Sequence, residues 1–153
     1  MKEDVLADLP PKITQDYYCD LSPVQTELYE DFARSQAEAG QEGSTTAPTH
    51  VFQALQYLKK VCNHPRLVLT KDHPSYDTIV SKQLGGNIEN LIQIEHAAKL
   101  TALKQLLVDL GMGEGGEVVV GQHRALIFCQ LKAMLDIVET DLLKVGCTLA
   151  PWP

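Results

Sequence analysis

Apolar residues recur at helical spacing in several parts of this chain, and these stripes predict most of its secondary structure. In the first stripe Val24, Leu28 and Phe32 fall on one side of a helix, while Glu27 and Glu30 fall on wetter faces. Other stripes follow the same spacing with leucine, valine and isoleucine. The pattern predicts five helices, over residues 23–39, 49–62, 78–84, 97–110 and 131–144.

Two of these helices carry clear boundary signals. Ser22 is an N-cap residue, Pro23 suits the first helical position, and Gln25 stands three residues after the cap, which is the pattern of a capping box. The second helix is expected to stop at Asn63, because the residue before Pro65 is pushed out of the helical region.

Two short stretches are typical of β-strands. Residues 12–21 alternate weakly and are rich in strand-favouring side chains, and residues 123–130 form an apolar run. The second stretch leads at once into the helix 131–144, which is the strand and crossover helix of a parallel sheet. Because only residues 145–153 follow, we expect this unit to be part of a larger fold.

Composition narrows the class of protein. The chain has 153 residues, of which 44% are hydrophobic, and no apolar run approaches the length of a membrane span. Its formal charge of −7 is unlike that of a free-standing nucleic-acid binder, so any contact with DNA is expected to be local. The four cysteines are far apart and lie mostly in apolar patterns, which favours a reduced, intracellular compartment.

A glycine-rich stretch matches two nucleotide-binding patterns by spacing alone. Residues 111–116 follow a predicted helix and precede an apolar stretch, the reverse of the order that either motif requires. Glu117 and Val118 stand where a phosphate loop needs lysine and then serine or threonine. A plain glycine-rich loop is the better interpretation.

Cysteine and histidine positions give no convincing chemical site. Cys62 and His64 have no second pair at a matching distance, and a structural zinc ion needs four ligands. A buried cysteine beside a hydrogen-bonded histidine is the preferred interpretation. Cys129 lies in a strand pattern without an identifiable activating base, which argues against a nucleophile.

Three segments in fixed order point to a known family. They are residues 4–29, residues 58–65 (Leu-Lys-Lys-Val-Cys-Asn-His-Pro) and residues 124–136 (Arg-Ala-Leu-Ile-Phe-Cys-Gln-Leu-Lys-Ala-Met-Leu-Asp). Together they resemble the middle of a Swi/Snf-type ATPase motor, a helicase superfamily 2 protein. Residues 52–65 and 122–139 are most similar to the branch that removes TATA-box-binding protein from DNA.

The resemblance implies an α/β parent with two RecA-like lobes, of which this chain is a mostly α-helical part with short strands at each end. It divides the chain into the end of the first lobe (1–21), a helical protrusion and brace (22–70), a connecting segment with one helix (71–121), the start of the second lobe (122–145) and a divergent tail (146–153).

The same resemblance suggests roles for a few residues. Gln130 and Lys132 correspond to a position near a DNA phosphate, where a helix N-terminus favours an anion. Asn63, His64 and Pro65 correspond to a helix stop that docks the brace, a role that we favour over contact with DNA.

The resemblance also implies ATP and magnesium as cofactors of the parent motor, duplex DNA and TATA-box-binding protein as its partners, and the nucleus as its location, away from membranes. This sequence has no Gly-Lys-Thr phosphate loop and no Asp-Glu pair ending a strand, which hold ATP and magnesium. We therefore expect an inactive central fragment of the motor that binds no cofactor and, with a split fold, self-associates through exposed apolar surface.

One alternative belongs to a different class. The chain would then be a stand-alone helical interaction module without catalysis, binding a protein partner through the apolar stripe of helix 23–39 or of residues 51–62.

Overall fold

The computed structural model describes residues 12–41, 48–112 and 124–143, and these ranges are built from helices joined by turns. The α-helices are α1 (Pro23–Gln41), α2 (Pro48–Asn63), α3 (Tyr76–Gln83), α4 (Ala98–Asp109) and α5 (Lys132–Ile137). Short 3-10 helices span Pro65–Leu67, Ile88–Ile92 and Ile94–His96, and a π-helix, Val138–Leu143, directly extends α5.

The helices predicted from apolar spacing are confirmed. Their boundaries agree to within about two residues, and α2 ends at Asn63 as expected. The predicted final helix forms as α5 and its π-helical extension, so its second half has a wider turn than the sequence suggested.

The prediction of two strands is wrong for the described residues. Residues 12–22 and 124–129 have no regular secondary structure, and no strand occurs in the three described ranges. A strand depends on hydrogen bonds to a neighbouring strand, and these ranges supply no such neighbour. As a result Leu126 and Phe128, expected to be buried, are 80% and 89% exposed. His123 lies outside the described residues.

Two hydrophobic clusters hold the helices together. The first cluster combines α1, the end of α2 and α3, and its buried members are Val24, Leu28, Val61, Val68, Leu69, Ile79, Val80, Leu84 and Leu91. The second cluster combines α4 with α5 and the π-helix, and its buried members are Ala97, Leu100, Leu107, Met134, Ile137, Val138 and Leu142.

Some apolar positions predicted to face inward remain exposed. In the first half of α2, Val51 and Leu55 are each about half exposed, and their neighbour Phe52 is 66% exposed. The contacts of α2 with α1 lie further along, where Tyr57 stacks on Phe32 at 4.5 Å. Helical spacing finds the apolar side of a helix, but it does not show how far along the helix its neighbours extend.

Glycines in the left-handed region end two of the helices. Gly85 and Gly86 follow α3 with φ of 61° and 84°, and Gly111 follows α4 with φ of 72°. Side chains other than glycine rarely adopt this conformation, which explains why the sequence changes direction there.

None of the helices in the described ranges is both long and apolar enough to cross a membrane.

Candidate functional site

The start of α1 carries both hydrogen bonds of a capping box. The backbone N–H of Ser22 donates to Oε1 of Gln25 at 3.1 Å, and the backbone N–H of Gln25 donates to Oγ of Ser22 at 3.3 Å. These bonds satisfy donors that a helix N-terminus would otherwise leave unpaired.

The same two side chains also reach distant parts of the chain. Gln25 donates through Nε2 to the carbonyl oxygen of Val61 at 2.8 Å and accepts from the backbone N–H of Ala98 at 3.3 Å. Ser22 donates through Oγ to the carbonyl oxygen of His96 at 2.7 Å. These five residues, which we call the polar junction, tie together the start of α1, the end of α2 and the start of α4.

Gln25 is fully buried, so these bonds are made away from water. A buried amide with unsatisfied donors or acceptors is costly, and here both of its polar atoms have partners. The capping pattern predicts the local bonds to Ser22, whereas partners 36 and 73 residues away have no signal in a single sequence.

A compact turn, residues 63–67, follows α2 directly. His64 caps the 3-10 helix by accepting the backbone N–H of Arg66 at Nδ1, at 3.0 Å, and Pro65 is buried. Asn63 accepts a hydrogen bond at Oδ1 from Nζ of Lys99 in α4, at 2.9 Å. The predicted brace role of Asn63, His64 and Pro65 concerns this turn, which contacts α4 through Asn63.

His64 is an electrostatically unusual residue. Its side chain is fully buried, and its Nε2 has no hydrogen-bond partner among the described residues. Burial lowers the pKa of His64 from 6.5 to about 4, because the attraction of Asp141 only partly offsets the loss of solvation, and Arg66 and His96 lower it further. The imidazole is therefore neutral at pH 7.

Arg66 links the turn 63–67 to the π-helix that follows α5. Its Nη1 donates to Oδ2 of Asp141 in the π-helix at 3.0 Å, and Asp141 accepts at Oδ1 from the hydroxyl of Thr140 at 2.7 Å. The Asp141 side chain is only 5% exposed, whereas that of Arg66 is 43% exposed. Next to Arg66, Leu67 packs against the second cluster.

A second histidine lies on the side of the first cluster. His73 accepts the backbone N–H of Ser75 at Nδ1, so its neutral ring donates through Nε2 to the hydroxyl of Tyr57, at 2.9 Å. Burial lowers the pKa of His73 and raises that of Tyr57, which keeps both groups neutral at pH 7.

The residues predicted to contact phosphate lie apart from this network of bonds. Gln130 and Lys132 are exposed on either side of Leu131, the N-cap of α5. No side chain caps this helix end, so its first backbone N–H groups are open to an acceptor from outside. The contact with phosphate stays a prediction.

Among the described residues, no group of three or more His, Cys, Asp and Glu side chains is arranged to hold a metal ion. A cleft of about 750 Å³ lies between α1 and α3 and is lined by charges of both signs, among them Glu27, Asp31, Arg34 and Lys82.

Comparison with known proteins gives the class first. Residues 1–67 match the SNF2-related domain, a region that ends at Leu67 in the turn after α2. This match covers the first two of the three ordered segments and confirms their resemblance to Swi/Snf-type ATPases.

Similarity to individual proteins then gives the branch. The chain is 56% identical to human TATA-binding protein-associated factor 172 and 48% identical to TATA-binding protein-associated factor MOT1 of Saccharomyces cerevisiae, in each case over 94% of this chain and 9% of the relative. It is 30% identical to Protein CHROMATIN REMODELING 4 of Arabidopsis thaliana, over 93% of this chain and 6% of that relative. Within the Swi/Snf class, the chain is thus similar to the TATA-binding protein-associated branch, and it spans about a tenth of the length of those relatives.

Proposed function

We propose that this chain serves in a Swi/Snf-type motor that removes TATA-box-binding protein from DNA in the nucleus, where it forms the helical connection between the two RecA-like lobes. The observation that carries the proposal is the identity of 56% to a TATA-binding protein-associated factor over 94% of the chain. Identity to the chromatin-remodelling relative is only 30%, which favours the first branch.

The contacts of the described helices support a connecting role. The polar junction joins α1 and α2 to α4, and the pair of Arg66 and Asp141 joins the turn 63–67 to the segment after α5. Contacts of this kind hold the helical region and the last helical segment in one arrangement. Such rigidity suits an element that transmits movement between two lobes.

In this proposal ATP and magnesium are bound by other parts of the motor. The Gly-Lys-Thr loop and the Asp-Glu pair that hold them in this family have no counterpart in the sequence. This chain contributes contacts to duplex DNA instead, with Gln130 and Lys132 beside a phosphate at the exposed start of α5.

Measurement of ATP turnover tests this division of roles. The purified chain is expected to show no magnesium-dependent ATP hydrolysis above buffer, with or without duplex DNA, because it lacks the groups that stabilise the transferred phosphoryl. DNA-stimulated turnover that follows the chain through purification would contradict the proposal.

One observation favours the stand-alone interaction module as a second candidate. Val51, Phe52 and Leu55 form an exposed apolar surface on the first half of α2, which suits a protein partner. Sedimentation of the same purified samples separates the two candidates. A monomer favours the module, whereas concentration-dependent self-association favours a part of a larger fold.

A further inference from the structure

The two hydrophobic clusters have separate buried members, so their relative arrangement depends on the contacts that cross between them. Several of these contacts end on α4 or just before it. They are the bonds of Ser22 to His96, of Gln25 to Ala98 and of Lys99 to Asn63. The ion pair of Arg66 and Asp141 differs from them because it reaches the helical segment 132–143 at its far end.

Asp141 needs this partner more than a surface carboxylate would. Its side chain is 5% exposed, and a buried carboxylate without a counter-charge is strongly unfavourable. The hydroxyl of Thr140 lies 2.7 Å from Oδ1, but it supplies no charge. The backbone of Arg66 is held in place by the turn 63–67, in which His64 accepts the Arg66 backbone N–H and Pro65 is buried.

Asp141 also lies in a helical segment whose backbone hydrogen bonds depart from the α-helical pattern. Residues 138–143 form a π-helix, a rare form that occurs mostly as single turns within α-helices and frequently at functional sites. The charge pair ties this segment to the turn 63–67.

We propose that Arg66 and Asp141 are positioning residues. Their ion pair holds the segment 132–143, and the residues that lead into it, against the helical region of α1 and α2. If the proposed function holds, on which this step rests, the pair sets where Gln130 and Lys132 stand relative to α1 and α2. Movement of the turn 63–67 is then passed to the DNA-facing start of α5.

Hydrogen exchange on the full chain tests the structural part of the proposal. In Arg66→Gln, amides of residues 134–143 are expected to exchange about tenfold faster or more, while those of residues 24–32 are unchanged. Arg34→Gln is the matched control, since it breaks an exposed pair with Asp31 within α1, and it should leave residues 134–143 unchanged.

Two further variants keep this test decisive. Arg66→Lys retains the charge and should restore most of the protection, which a role in packing alone would not require. Asp141→Asn keeps the shape of the side chain and should reproduce the faster exchange if Arg66→Gln does not fold. Unchanged exchange in residues 134–143, or an equal increase throughout the chain, would overturn the proposal.

The functional part is tested in a graft, in which this chain replaces the matching segment of the yeast relative MOT1. In the graft, Arg66→Gln should retain DNA-stimulated ATP turnover but release about tenfold less TATA-box-binding protein for each ATP, with recovery in Arg66→Lys. Equal losses of turnover and release would argue against positioning. Failure of the unmodified graft would count against the proposed function, whereas the exchange result is independent of it.

Discussion

Replacement of Gln25 by alanine is expected to lower the free energy of unfolding by about 4 kcal/mol, a large part of the stability of a small domain. The substitution leaves the carbonyl oxygen of Val61 and the backbone N–H groups of Ser22 and Ala98 without their partner, and it opens a cavity at a fully buried position. Denaturant titration followed by circular dichroism measures the change.

Gln105→Ala is the control for this prediction. Gln105 is exposed on α4, and its Nε2 donates to Asp109 one turn away, so its loss should change stability by less than about 0.5 kcal/mol. Similar effects of the two substitutions would show that the polar junction contributes little, and the structural argument for a rigid connection would fail.

Acidification is expected to destabilise the protein through His64. The pKa of His64 is lowered to about 4 in the folded chain and returns to 6.5 on unfolding. Between these values the unfolded chain binds the proton more strongly, so stability is fully present above pH 6.5 and falls as the pH drops toward 4. A tenfold difference in proton affinity is worth about 1.4 kcal/mol, which makes the total loss about 3 kcal/mol.

His73 contributes in the same direction, because burial also lowers its pKa. The free energy of unfolding is best measured between pH 5 and 7, above the ordinary range of most carboxylates. His64→Gln should be less stable at pH 7 but should depend less on pH in this window. An equal slope in His64→Gln and the unchanged chain would exclude His64 as the source.

Local patterns in the sequence predict the helices well. The stripe of Val24 and Leu28, the cap at Ser22 and Gln25 and the stop at Pro65 all act within a few residues, so a single sequence contains the information. The structure adds that Gln25 has more partners than its cap. In the sequence, the distant bonds are indicated only by a glutamine at a capping position, and this does not identify their partners.

The predicted strands show the opposite limit. The run from Leu126 to Phe128 has the composition of a buried strand, yet it is irregular here, and only its middle residue Ile127 packs against the second cluster. The composition of a segment shows that it is suited to a β-strand, but the strand forms only beside another strand.

The ion pair of Arg66 and Asp141 had no signal in the sequence either. The two residues are 75 positions apart, and neither belongs to a recognisable local pattern. Asn63, His64 and Pro65 form the predicted helix stop, and Arg66, the residue immediately after them, makes the contact with Asp141. Positions next to such a stop are therefore useful places to look for contacts between segments.

The most direct test of the account is the release of TATA-box-binding protein from TATA-containing DNA by the yeast MOT1 graft that carries this chain. We expect ATP-dependent release within about tenfold of the unmodified relative, a difference of about 1.4 kcal/mol in activation free energy. A parallel graft carries the matching segment of the Arabidopsis relative CHROMATIN REMODELING 4 and is expected to release much less. If the graft with this chain folds, binds DNA and hydrolyses ATP but releases no more than the parallel graft, the proposed function is contradicted.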